Sequence, residues 1–502
     1  MMGNAEIKPS LLGDVFRGVP VEEWAGDGRV AVSGLITDSR RVVPGSVFFA
    51  IDGLKTRGEL FIEEAIARGA AAIVTAGEPG RRLQVPCLRV QNVRRALAGA
   101  ARNFFGHPEE KLTVLGVTGT NGKTTVSTLL HYLMERSGRR WGLIGTVRYE
   151  LGGRSLPSHR TTPEAPDVLG MMGQMVATGC EGLAMEVSSH AIDQDRVDGL
   201  GFAALAFTNL SRDHMDYHGD MDSYFAVKAG AFLGGTGPLP RAAVVNIDDP
   251  AGRKLAGLLP PGVRLISFGA SAEAVIRIVD TKLLPGESRV DLVWPAGRGV
   301  LRTSLPGNYN VSNVLCALGL AYAAGRDLGP LLPTLADFPG VPGRMERVAP
   351  ELPYQVYVDY AHTDDALRNA LTMLREITPG RLMVVFGCGG NRDRGKRAKM
   401  TAVVQELADF SWATADNPRK EPLEEIFSDM RRGVQAEEKI NFVPDRRRAI
   451  SLALDAADLG DCLLIAGKGH ETYQEFSDVI VPFDDRHVTR ELLALKQCRP
   501  EP

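Results

Sequence analysis

Residues 115–133, LGVTGTNGKTTVSTLLHYL, set Gly116, Gly119 and Gly122 beside Lys123, Thr124 and Thr125, between an apolar run and a helical pattern. A backbone that wraps a polyphosphate must crowd N–H donors around an anion, which Cβ atoms obstruct and glycines permit. Val126, Leu129, Leu130, Leu133 and Met134 then form one stripe. The helix they imply packs on a sheet and turns its positive N-terminal end back toward the loop. Lys123 is placed to reach β- and γ-phosphates, and the Thr124 hydroxyl to ligate Mg²⁺. Val117 stands five positions before Gly122, where the usual phosphate-loop pattern has glycine, so this is a variant loop.

Other residues carry chemistry by type and place. Glu186 closes the apolar run GLAME. A carboxylate there can hold a metal near phosphates, or can be a surface acid at a strand end. Asp213 and His214 follow the buried run ALAFTNL, and Asn310 and Asn313 lie one helical turn apart. An amide offers both donor and acceptor, as a purine edge requires, although Asn310 also suits a helix cap. Three polar segments, FGCGGNRDRGKR (386–397), TADNPRKE (414–421) and AGKGHETYQ (466–474), each follow an apolar run. In an open parallel sheet such loops gather at one edge, where ligands bind. The basic run Arg392, Arg394, Lys396, Arg397 is too short to argue nucleic acid.

These groups need a scaffold, and the length of 502 residues suits about three domains. Residues 1–109 mix short apolar runs with one helical stretch, predicting a small α/β domain. From 110 to 341, apolar runs alternate with helical segments, predicting a parallel sheet covered by helices. Toward 270–305 the texture suggests a few appended antiparallel strands. FPGVPGRME at 338–346 reads as a linker. The strand–helix alternation then restarts, so 342–502 is expected to be a second doubly wound domain. An apolar content of 44%, a charged content of 24% and a net charge of −3 describe an ordinary globular chain with no global field for nucleic acid or membrane. Cysteines 87, 180, 316, 388, 462 and 498 are scattered without a CxxC pair, predicting reduced core residues. No leader segment and no run of about 18 apolar residues is evident, so a cytoplasmic protein without membrane insertion is expected.

The string GTNGKTT, 119–125, resembles the phosphate loop of the Mur ligase family, ATP-dependent amide-forming enzymes of peptidoglycan synthesis. Further segments resemble that family in order, from about residue 35 to 487. MEVSSHAIDQDR (185–196), with Thr161 and Thr162, resembles its substrate and metal segment; this implies Glu186 as a Mg²⁺ ligand and Ser188, Gln194 and Arg196 around a UDP-sugar-peptide. Arg160 stands where relatives often have Asn. NLSRDHMDYHG resembles the stretch that makes His214 a second Mg²⁺ ligand. Lys228 matches the family's carbamylated lysine, which becomes a carboxylate-like ligand; an unmodified ammonium would repel the metal. LPGNYNVSN implies adenine contacts for Asn310 and Asn313. GRMERV and VDYAHTDDAL imply that Arg344 meets phosphate, Asp359 the ribose and His362 the nucleotide's surroundings. ITDSRRVVPG places Ser39 and Arg40 near uridine diphosphate, with Arg57 where relatives usually have Asp.

The ATP site is thus implied to comprise residues 119–125 with Asn310, Asn313, Arg344, Asp359 and His362. The three C-terminal loops resemble the branch that adds the third residue of the peptide, and DNPR resembles its meso-diaminopimelate-adding members. Arg419 can pair bidentately with the carboxylate of that second amino-acid head, which lysine lacks. Asp416, Asn417 and Glu471 are implied to receive its ammonium and Arg392 another carboxylate, with Pro418 and Gly467 completing the site. The expected reaction is amide formation between meso-diaminopimelate and UDP-N-acetylmuramoyl-L-alanyl-D-glutamate through an acyl phosphate, with ATP and Mg²⁺. The expected partners are these small molecules, no nucleic acid is expected, and the protein is expected to be a monomer. A lysine-adding enzyme or another ligase of the folylpolyglutamate synthetase superfamily is the alternative.

Overall fold

The computed structural model describes residues 10–53, 56–78, 82–284, 287–349 and 351–497. Cys498, expected in the core, lies outside them. The chain forms two compact units, one of residues up to 277 with 315–328, the other of residues 278–314 with 329 onward.

In the first unit, four strands, Gly34–Ile36, Ser46–Phe49, Ala72–Thr75 and Cys87–Arg89, run parallel, with Glu23–Ala25 antiparallel at one edge. Val93–Phe105 is the helix that covers this small sheet's flank. Asn92 caps it by accepting from the N–H groups of Arg94 and Arg95, and Gly106 ends it in the left-handed region. The same helix packs on Ala165–Ala177 of the following sheet layer.

That larger sheet places Thr113–Thr118 in the middle. Gly182–Glu186 and then Trp141–Ile144 flank it on one side, Ala204–Phe207, Ala242–Asn246 and Arg264–Gly269 on the other, all parallel. Their apolar runs are buried on both faces, as parallel strands under helices must be. Arg148–Glu150 and Ser155–Pro157 add an antiparallel edge the sequence reading did not anticipate. Of the strands expected at 270–305, Glu287–Trp294 and Gly297–Thr303 form an antiparallel hairpin, and Ile276–Leu284 lies next to Glu287–Trp294 in the sheet while its first residues pair parallel with Arg264–Gly269.

In the second unit the strand order is Glu346–Arg347, Gln355–Asp359, Cys462–Ala466, Leu382–Cys388, Phe410–Ala415, Ile440–Phe442, parallel except for the first. Leu382, Val384 and Phe386 face one apolar layer with the helices Asp364–Ile377, Gly395–Leu407 and Leu423–Arg431, while Met383 and Val385 face Arg446–Ala456 on the other. Alternate residues of one strand therefore serve two cores, as a doubly wound sheet requires. Among the described cysteines, 180, 316, 388 and 462 are buried and Cys87 is half-buried, all of them unpaired.

Candidate functional site

In the first unit, strand Thr113–Thr118 delivers the chain to the loop, and helix Lys123–Arg136 begins immediately after Gly122. Gly119 has φ of +144°, and a Cβ there would stand 1.9 Å from Thr208 Oγ1, so only glycine lets the loop pass. Gly116 does not belong to the loop. It lies within the strand, where a Cβ would meet Leu205 and Phe202 at 2.7 and 2.8 Å, so its smallness serves packing rather than phosphate. The loop is braced from the strand-end segment 208–211. Thr120 N–H donates to Asn209 O at 2.9 Å, Asn121 N–H to Asn209 Oδ1 at 2.9 Å, and Ser211 N–H to Thr120 Oγ1 at 3.0 Å. Lys123 Nζ folds over the loop onto Gly119 O (2.9 Å) and Thr120 O (2.8 Å), while Thr125 is buried in the first helical turn.

Glu186 ends its strand fully buried. Its Oε2 accepts from Thr124 Oγ1 at 3.1 Å and Thr146 Oγ1 at 3.0 Å, and its Oε1 from Thr146 N–H at 2.7 Å. Thr146 was missed in the sequence because nothing local marks it. Lys228, buried on helix Met221–Gly230, donates to Gly119 O at 2.9 Å, with its Nζ 4.6 Å from the Tyr224 ring centre. Burial first, and Lys123 second, hold its amine well below the ordinary lysine range. His214 sits at φ +55°, a conformation a non-glycine residue rarely adopts, with its ring 6.4 Å from Tyr224 and 4.8 Å from His190. Tyr224 thus links Lys228 and His214.

A second network continues from Glu186. Thr162 Oγ1 donates to Glu186 O at 2.8 Å and accepts from Ser188 N–H at 3.1 Å; Thr161 Oγ1 lies 3.0 Å from Thr146 Oγ1. Arg196 donates to Thr162 O (2.9 Å) and Gln194 Oε1 (2.6 Å), and pairs with Glu164 at 3.2 Å. Arg160 also binds Glu164, at 2.6 Å. Thr161, Thr162, Ser188, Gln194 and Arg196 are therefore one connected group. Ser39 is buried and donates to Glu64 Oε2 at 2.6 Å, whereas Arg40 is exposed and pairs with Asp38.

In the second unit, Asn310 and Asn313 are buried and bonded to each other, Asn313 Nδ2 to Asn310 Oδ1 at 3.1 Å. Asn310 Nδ2 returns to Pro306 O at 2.8 Å. Arg344 lies over the Tyr360 ring at 4.5 Å. Asp359 accepts from Met345 N–H (2.6 Å) and Ala361 N–H (2.8 Å); burial pushes its carboxyl up, opposed by Arg344 and these N–H groups. His362 Nδ1 lies 2.7 Å from Tyr360 O.

The three loops after strands do meet. Arg419, at φ +54°, pairs with Glu475 at 3.0 Å and donates to Gly390 O at 2.9 Å; a Cβ on Gly389 would touch both Arg419 and Arg392. A Cβ on Gly467 would stand 2.6 Å from Asp416 Oδ2. Glu421 N–H donates to Pro418 O at 3.2 Å, closing the turn. Asn417 Nδ2 donates to Glu471 Oε2 at 2.8 Å. Asn417 and Glu471, the residues implied to receive an ammonium, are also bridged by Lys468, which is fully buried and donates to Asn417 Oδ1 (3.1 Å) and Glu471 Oε2 (2.9 Å). The sequence reading passed over Lys468; its only local signal is its place between two glycines after a strand.

A braced glycine loop with a lysine and a threonine–carboxylate pair, at the end of a helix-covered parallel sheet, defines a phosphate-handling α/β enzyme. Family models match in sequence order: the Mur ligase family catalytic domain over 31–105, the Mur ligase middle domain over 117–321, and the Mur ligase glutamate ligase domain over 343–469. The chain belongs to the Mur ligase family. It is 43% identical to the UDP-N-acetylmuramoyl-L-alanyl-D-glutamate--2,6-diaminopimelate ligase of Solibacter usitatus (strain Ellin6076), over 92% of this chain and 93% of that one. It is 42% identical to the ligase of the same name from Geobacillus kaustophilus (strain HTA426), over 92% and 95%. A solved structure of a ligase with that name matches with a TM-score of 0.69 at 31% identity, covering 98% of this chain and all of that one. Among the described residues, no helix is long and apolar enough to cross a membrane.

Proposed function

We propose that this ligase joins meso-2,6-diaminopimelate to UDP-N-acetylmuramoyl-L-alanyl-D-glutamate at the expense of ATP, in peptidoglycan precursor synthesis that serves wall growth and division. The γ-phosphoryl group passes to the side-chain carboxylate of the D-glutamate, giving an acyl phosphate and ADP. The amine of diaminopimelate attacks the acyl carbon, forming the amide and releasing phosphate. The protein's part is alignment and charge neutralisation.

Lys123 exchanges its bonds to Gly119 O and Thr120 O for the phosphate oxygens of ATP, and the loop N–H groups of 119–125 cradle them. Asn310, Asn313, Arg344, Asp359 and His362 are proposed to hold the nucleoside, and Ser39, Arg40, Thr161, Thr162, Ser188, Gln194 and Arg196 the UDP-sugar-peptide. Mg²⁺ fits Glu186 and Thr124, hard oxygen donors 3.1 Å apart, with His214 completing the set; it would supply charge neutralisation at the transferring phosphoryl group. Lys228 suits that neighbourhood only as a carbamate, and its buried amine, held neutral more readily than an exposed one, is the form that reacts with CO₂. The observation that carries the choice of amino acid is Arg419, held in a left-handed conformation by Glu475 and Gly390 among the three C-terminal loops, where a second carboxylate is the ligand it suits.

We place domain boundaries near 109 and 341, and take the enzyme to be a cytoplasmic monomer. The test is phosphate release with ATP, Mg²⁺ and the UDP-dipeptide, comparing meso-diaminopimelate with L-lysine. Turnover with diaminopimelate alone is expected; turnover with lysine alone keeps the family and overturns the specificity, and none with either overturns the proposal.

A further inference from the structure

The proposed amino-acid site contains a lysine that the reaction leaves without a role. Lys468 is fully buried, just beyond strand Cys462–Ala466, and its Nζ donates to two side chains, Asn417 Oδ1 and Glu471 Oε2. The ring of Tyr473 stands 5.4 Å from the same nitrogen. A buried ammonium is costly unless paired, and here both its bonds are spent on groups assigned to the incoming amino acid.

The consequence for Asn417 is geometric. Its Oδ1 receives Lys468 Nζ at 3.1 Å and Glu475 N–H at 3.0 Å, so the oxygen must face these donors and the amide cannot flip. Its Nδ2 then faces Glu471, spending one N–H on Oε2 at 2.8 Å and leaving the second for a ligand. Glu471 is fixed in the same way. Its Oε2 takes both Lys468 and Asn417, so Oε1 is the oxygen turned to the ligand. A ligand thus meets one oriented N–H and one oriented carboxylate oxygen.

The support under Lys468 is rigid. The buried pair Arg446–Asp485 is bidentate, at 2.7 Å for both contacts, and Arg446 also donates to Ala466 O at 2.9 Å, anchoring the strand end two residues before Lys468.

We infer that Lys468 is a positioning residue for amino-acid selection: by locking Asn417 and Glu471 into one orientation, it sets the preference for a diamino acid with a second carboxylate over lysine. This rests on the proposed function, since it concerns the same site. Without Lys468 the Asn417 amide is free to turn, and Glu471 recoils as a full, mobile anion that attracts any ammonium, lysine's included.

The test compares wild type with Lys468→Met, which keeps the length and apolar body of the side chain, and with Lys468→Gln, which removes the charge but keeps a polar group in the buried position in case the first variant fails to fold. KM and kcat are measured for meso-diaminopimelate, L-lysine, ATP and the UDP-dipeptide. Both variants are expected to raise KM for diaminopimelate at least tenfold and to lower the diaminopimelate-to-lysine ratio of kcat/KM by a similar factor, with KM for ATP and the UDP-dipeptide within twofold. An unchanged ratio, or an equal loss for all substrates accompanied by a lower Tm, overturns the inference in favour of a purely structural lysine. A wild-type protein that turns over neither amino acid overturns the functional reading itself, a failure visible before any variant is made.

Discussion

Thr124 donates its hydroxyl to Glu186 over 3.1 Å, tying the first turn of the phosphate-loop helix to the end of the neighbouring parallel strand. Thr146 adds a hydroxyl and a backbone N–H to the same carboxylate. Three donors on one fully buried carboxylate fix its position and aim it at the loop.

Replacing that charge while keeping its shape, Glu186→Gln, turns one acceptor into a donor facing either Thr146 N–H or two hydroxyls. We expect kcat to fall roughly a hundredfold, the size typical of losing one preorganised charge contact, with Tm lowered by a few degrees. Phosphate-release kinetics and thermal melting check this; activity within threefold of wild type would remove Glu186 from the phosphate machinery.

Lys228 supplies a second expectation. A buried amine that gives up its proton below the usual lysine range is available to CO₂, and the product carries the negative charge a cation site wants. Protein equilibrated with ¹³C-bicarbonate is expected to show a carbamate carbon resonance that is missing in Lys228→Met, whose turnover falls below detection. A carbamate signal that persists in the variant would assign the modification elsewhere.

Much of this site was legible because its chemistry is local in sequence. The strand–glycine–lysine–threonine order of 115–125 dictates a loop and a helix start, and both lie where expected. The apolar runs of the second unit read correctly as buried parallel strands, since both faces of Leu382–Cys388 are covered. What escaped depends on contacts between distant residues. Thr146 meets Glu186 forty positions away, and Lys468 meets Asn417 across 51 positions, pairings no spacing rule encodes. Gly116 misled for the opposite reason: a glycine beside a phosphate loop reads as part of it, yet its neighbours Phe202 and Leu205 require its smallness.

The second unit should also show a defined acid sensitivity. Arg397, fully buried, grips Glu421 through two bonds of 2.7 Å and reaches Asp429 at 3.0 Å. The Arg397 hydrogen bonds pull the Glu421 carboxyl from 4.5 down to about 2, against the opposing effect of burial. Glu421 is only 9% exposed, so solvent screening of the pair is small. Because the folded-state value is the lower one, the stabilisation is present above about 4.5 and is lost as pH falls toward about 2. Glu421→Gln is therefore expected to cost about 3 kcal/mol at pH 7, and the gap from wild type should close as pH drops through that window. Urea unfolding at pH 7, 4 and 3 measures it, and a gap independent of pH would rule out the charge as its source.

Arg419 gives the most direct expectation about substrate choice. Its Nε is taken by Glu475 and one terminal nitrogen by Gly390 O, so a bidentate grip on a ligand carboxylate requires the guanidinium to share or leave Glu475. Removing the side chain in Arg419→Ala also leaves Glu475 as an uncompensated acid beside the site, which repels a carboxylate. Both effects point the same way: KM for meso-diaminopimelate is expected to rise at least tenfold, the equivalent of about 1.4 kcal/mol, with KM for ATP nearly unchanged. Arg419→Lys keeps the charge but not the fork, and its KM should fall between the two. Steady-state kinetics with each substrate varied in turn decide the matter, since an equal rise for ATP and amino acid would make Arg419 a structural brace of the 414–421 loop instead.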